Sequence, residues 1–81
     1  FTINVGGGGV ATSGVIGLPT ATTGWNCWVN DLTAAAGHVA YNTRQTVSTN
    51  ASATLENQTT STGAAIAWAA NDILRVSCLA Y

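Results

Sequence analysis

Apolar and polar residues alternate most clearly in Trp25-Asn26-Cys27-Trp28-Val29-Asn30-Asp31. At period 2, Trp25, Cys27 and Val29 share one face, and Asn26, Trp28 and Asn30 share the other. That is a half-buried strand with a heavy aromatic residue on each side. Its natural partner is Ile73 to Tyr81, which carries the second cysteine, Cys78. These two strands are expected to frame the fold.

Weaker alternation fills in the rest. Phe1 to Val5 reads as a strand. Val15 to Leu18 reads as a short one, ended by Pro19. His38 to Thr43 reads as a strand with Val39 and Tyr41 on one face, and Arg44 to Ser48 continues it or turns. Ala51, Ala53 and Leu55 alternate with Ser52, Thr54 and Glu56, giving another half-buried strand.

Between these lie the breaks. Gly6 to Gly9 is a flexible link or a close approach of backbones. It lacks the glycine spacing and the following Lys-Ser/Thr of a phosphate loop. Asn30 to Thr33 opens a turn. Thr33 to Gly37 is one helical turn or a loop. Asn57 to Gly63 is polar throughout and predicts a loop. Ala64 to Ala70 has helix propensity, but so short a segment cannot hold a helix by propensity alone. Asn71-Asp72 is a turn. Roughly five to seven short strands with turn signals between them predict an all-β fold, a small antiparallel β-sandwich of jelly-roll type.

Size makes that fold marginal. A chain of 81 residues forms one domain, read as an N-terminal strand and glycine-rich join (1–9) followed by the sandwich (10–81). Such a domain buries only about 60–65% of its unfolded surface and usually needs a staple or a partner. With two cysteines and few metal ligands, self-association is the expected support.

Charge narrows the function further. Only 6% of residues are charged, against a typical ~25%. Thirteen threonines and seven asparagines supply the polar surface instead. The formal charge of −1 offers no basic patch, which disfavours nucleic-acid binding. No apolar run approaches the ~18 residues of a membrane-spanning helix, so no membrane insertion is expected. The chain opens at Phe1 with neither an initiator Met nor a signal-peptide pattern, as a piece of a longer protein would.

Candidate chemistry is thin. His38 is the sole histidine, and none of Asp31, Glu56 and Asp72 makes a catalytic motif with it. A surface or interface histidine is the favoured reading. Cys27, His38 and Cys78 lack zinc-ligand spacing. No enzyme activity, metal or cofactor is expected. The cysteines have three readings, in order of preference: buried free thiols, a disulfide across neighbouring strands, and catalytic thiols. Asn50-Ala51-Ser52 and Asn57-Gln58-Thr59 match the glycosylation acceptor pattern, as chance allows in so Asn- and Thr-rich a chain. The threonines show no fixed period, which sets aside an ice-binding array.

The aromatic residues are more informative. Trp25 is assigned to the core with Cys27, Cys78 and Val76. Trp28, flanked on its face by Asn26 and Asn30, is assigned to a subunit interface or a sugar contact, with Tyr41 as a further contact.

The chain resembles the C-terminal domain of tailed-bacteriophage virion proteins, including tail fibres and capsid-decorating head fibres. The residues that carry the resemblance are Val15-Ile16-Gly17-Leu18-Pro19-Thr20, Gly24-Trp25-Asn26-Cys27 with Asp31 and Leu32, and Arg44-Gln45-Thr46. They continue through Ser52-Ala53-Thr54-Leu55 and Ala67-Trp68-Ala69-Ala70-Asn71-Asp72 to the ending Val76-Ser77-Cys78-Leu79-Ala80-Tyr81. The resemblance implies a β-sandwich at the tip of a homotrimeric appendage, on the surface of a virion and extracellular once released. Other virion proteins and host surface polysaccharide are the partners it implies. It carries over no catalytic residue. A carbohydrate-binding module is the alternative function.

Overall fold

The computed structural model describes residues 1–7, 11–33 and 41–81. The readings made for Gly8 to Val10, for Ala34 to Gly37, and for His38 and Val39 lie outside the described residues. Among the described residues, six strands form one antiparallel sheet: β1 (Thr2–Asn4), β2 (Ser13–Gly17), β3 (Trp25–Asp31), β4 (Tyr41–Ser48), β5 (Ser52–Thr59) and β6 (Ile73–Ala80). Their order across the sheet is β1-β6-β3-β4-β5-β2. The expected pair is present over its full length, from Trp25 opposite Ala80 to Asp31 opposite Leu74.

Alternation decides which face is buried. Cys27, Ala53, Leu55, Leu74 and Val76 point inward, joined by Trp68. Ile3, Ile16, Val29, Cys78 and the half-buried Trp25 pack against them. The sheet curls around this cluster, so the edge strands β1 and β2 face each other. Ile3, Ile16, Leu55 and Trp68 line the apolar gap of about 260 Å³ between them.

Cys27 and Cys78 form a disulfide rather than free thiols, with their Cα atoms 4.1 Å apart. Register makes this possible, because β3 and β6 set them directly opposite each other on the inner face. The cross-link joins positions separated by 51 residues and closes over β4 and β5.

Two segments depart from the sequence reading. Asn57 to Thr59 extend β5 instead of forming a loop. Asn57 is buried, and its side-chain oxygen accepts a hydrogen bond from Thr43 at 3.1 Å. Ala64 to Ala70 is not a helix. Its backbone bonds outward instead: Ile66 N–H donates to Asn57 O at 2.9 Å, and Trp68 N–H donates to Ala11 O at 3.2 Å. The strand expected within Phe1 to Val5 is present as β1, an edge strand whose Thr2 to Asn4 pair with β6. Asn71 keeps its predicted turn role, with φ at 64°.

Gly24 is required by space rather than by backbone angle. A Cβ there would stand 2.7 Å from Ser48 Oγ and 2.9 Å from Tyr81 Oη. The close approach lets Gly24 and Tyr81 exchange backbone hydrogen bonds at 2.9 and 3.0 Å, anchoring the last residue beside the start of β3.

Candidate functional site on the outer face of the sheet

The inner face carries the core, and the outer face carries the exposed side chains of β3, β4 and β6. Side chains directly opposite one another in an antiparallel sheet point the same way, with Cβ atoms about 5 Å apart. Trp28 lies opposite Ser77 of β6 on one side and Arg44 of β4 on the other. Asn26 and Asn30 flank it along β3, two residues away in each direction, and both are exposed. Arg75 lies opposite Asn30, which makes it a diagonal neighbour of Trp28 within reach of a long side chain. Trp28 itself is 54% exposed.

An unusual pairing places Arg44 here. Trp28 with Arg44 is the register pair between β3 and β4. Further along, the Gln45 side chain stands in for the backbone ladder. It accepts from Cys27 N–H at 2.8 Å, and its amide donates to Trp25 O at 2.8 Å. Ser48 Oγ makes similar bonds to Trp25, accepting from its N–H at 3.0 Å and donating to its carbonyl at 2.9 Å. The amide fills the space between separating strands, so β3 and β4 stay attached and Trp28 keeps its partner.

The electrostatics of this face oppose those of the whole chain. Arg44 and Arg75 are the chain's two Lys/Arg residues, and both are exposed beside Trp28. Glu56, opposite Arg44, is the one acid on the same face. Its Oε1 accepts from Gln58 Nε2 at 2.8 Å. Asp31 is opposite the inward-pointing Leu74 and turns its carboxylate to Thr33 N–H at 2.9 Å, while Asp72 is buried. The face therefore carries +1 (two arginines, one glutamate) within a chain of −1.

A second group of outward residues is apolar. Val15 and Val47 both lie opposite Thr54, and Leu79 lies opposite Asn26. All three are strongly exposed. Val47 reaches this face through the irregularity between Gln45 and Val47, where β4 gains a residue over β5. The extra residue inverts the alternation and re-aims the side chain outward.

The sequence-predicted contacts are only partly brought together. Trp28, Asn26 and Asn30 share the outer face as alternation requires. Tyr41 does not join them: it has the parity of buried Thr43 and is half-buried on the inner side. Trp68 is core, with its indole N–H donating to Thr43 Oγ1 at 2.8 Å. Sequence reasoning missed Arg44 and Arg75. Their outward parity was readable within each strand, but their nearness to Trp28 depends on register between distant segments.

Among the described residues, no group of three or more His, Cys, Asp or Glu is placed to hold a metal ion. No described helix is long and apolar enough to cross a membrane. No protein-family model matches the chain, and neither a curated protein nor a solved structure shows significant similarity to it.

Proposed function

We propose that this chain is a non-enzymatic structural domain of a bacteriophage virion. In this reading it is a homotrimeric fibre-tip or capsid-decorating domain on the particle surface, bound to other virion proteins and meeting host surface glycans. The observation that carries the reading is Trp28, exposed in the middle of the outer face of a cross-linked sheet. A large aromatic held in solvent by rigid strands is a contact surface waiting for its partner. The resemblance over Val15 to Tyr81 supports the virion assignment. The disulfide suits a protein that works in oxidising surroundings outside a cell. Jelly-roll-like closure is part of the reading, with β1 and β6 facing β2 and β5 across Trp68.

In the trimer, Val15, Val47 and Leu79, on the same outer face as Trp28, supply the contact between copies. Light scattering on the folded protein tests this. A particle of three chains is expected, falling to one chain in Val47→Asp/Leu79→Asp. A monomeric wild-type protein at tens of micromolar would sink the trimer.

The flanking of Trp28 by Asn26 and Asn30 favours a second reading, a carbohydrate-binding module that works as a monomer. Glycan binding by a monomer, lost in Trp28→Ala, would select it.

A further inference from the structure

We infer that the outer face of β3, β4 and β6 binds an acidic saccharide, stacking a sugar ring on Trp28 and holding its carboxylates with Arg44 and Arg75. The inference rests on the reading of the Trp28 face as a contact surface and names the chemical class it recognises.

Placement is the first argument. This chain has almost no charge to spend, and a Thr- and Asn-rich surface keeps it soluble without arginine. Yet both arginines stand on one face, on either side of one exposed tryptophan. Neither guanidinium makes a hydrogen bond or ion pair to a described residue. Glu56, the acid opposite Arg44, accepts a hydrogen bond from Gln58 at one of its two oxygens. A guanidinium left free presents a planar fork of donors that matches a carboxylate with two parallel hydrogen bonds.

The remaining lining fits a sugar better than other anions. Asn26, Asn30, Asn42 and Ser77 are exposed on the same face and offer donors and acceptors for hydroxyl groups. An indole face covers the apolar C–H side of a pyranose ring. The positions of Arg44 and Arg75 on opposite sides of Trp28 suit a chain of sugars whose central ring stacks while neighbouring carboxylates reach outward. Single-stranded nucleic acid also stacks on aromatics, but it needs a groove of cations along its backbone, and two arginines do not make one.

Isothermal titration calorimetry and tryptophan fluorescence on the whole chain test the assignment. The probes are an oligogalacturonate, its fully methyl-esterified neutral counterpart, an oligomer of sialic acid, and a thymidine oligonucleotide. At least one acidic saccharide should bind with a blue shift that Trp28→Ala abolishes. The ester should bind at least tenfold more weakly. Each of Arg44→Gln and Arg75→Gln should cost about tenfold in Kd, the scale of one charge-assisted contact. Glu56→Gln should tighten binding by removing the one repelling charge.

Equal binding of acid and ester, or full affinity in Arg44→Gln/Arg75→Gln with an unchanged melting temperature, overturns the inference while the glycan-contact reading stands. Absence of binding by both acidic saccharides overturns it too. Arginine-dependent binding of the oligonucleotide alone overturns it in favour of nucleic acid. Oligomeric state is measured separately, so the trimer proposal stands or falls on its own result.

Discussion

On the inner side of the sheet, Trp68 is 7% exposed and donates its indole N–H to Thr43 at 2.8 Å. On the outer side, Trp28 is 54% exposed, and no described residue accepts a hydrogen bond from its indole. The difference shows what each face demands of the same side chain. A buried indole must find an acceptor, because an unmade hydrogen bond in the core costs more than a made one returns. The chain supplies Thr43, bonds Thr43 in turn to Asn57, and lays the Asn57 amide near Ala67 O at 3.5 Å. That buried polar chain links β4, β5 and the 64–70 segment. The outer tryptophan has no such network. It rests on rigid neighbours and keeps its ring face free.

The contrast predicts a gradient of stability effects, steepest on the inner side. Removing the disulfide with Cys27→Ala/Cys78→Ala is expected to cost about 4 kcal/mol, from the loop entropy released across a separation of 51 residues. For so small a domain that is most of its stability, and urea denaturation should find it largely unfolded without denaturant. Next comes Trp68→Ala, at about 3–5 kcal/mol for loss of a buried aromatic ring. A midpoint shift below a third of that would show the 64–70 segment to be dispensable.

Thr43→Val leaves the indole N–H and the Asn57 oxygen without their hydroxyl, and should cost ~1–3 kcal/mol. Pairing it with Trp68→Phe in a double-mutant cycle sharpens the point, since the two losses should be less than additive. The smallest effect belongs to the outer face. Trp28→Ala should change stability by no more than about 0.5 kcal/mol, as exposed substitutions usually do, while abolishing binding. If Trp28→Ala and Trp68→Ala destabilise equally, the two faces do not have separate jobs.

Much of this was legible in the chain. Alternation at Trp25–Asp31 assigned inward and outward residues correctly, and the β3–β6 pair follows from two matching strands. Trp25 is more exposed than a core assignment implies, because it sits at a sheet end. There its indole donates to Pro19 O and Asn50 O at 2.9 and 3.2 Å. Asn57 to Thr59 looked like loop because polar residues dominate it, yet Asn57 is a buried strand residue whose partners arrive from β4 and from the 64–70 segment. The alanine run looked helical because propensity is local. Docking onto Ala11 and Asn57 overrode it with bonds to other parts of the chain.

By itself, then, the sequence determined an all-β chain, the two-faced character of β3, and the exposure of Trp28 between two amides. Each depends on alternation over a few residues, which local sterics enforce. Tertiary structure decided the rest. The Cys27–Cys78 bond, the inward turn of Tyr41, the outward turn of Val47, and the meeting of Arg44 and Arg75 around Trp28 all depend on register between segments far apart in sequence. A one-residue slip in any pairing would send those side chains to the other face. Register is fixed by burial of the whole core at once, and no short stretch of sequence contains that information.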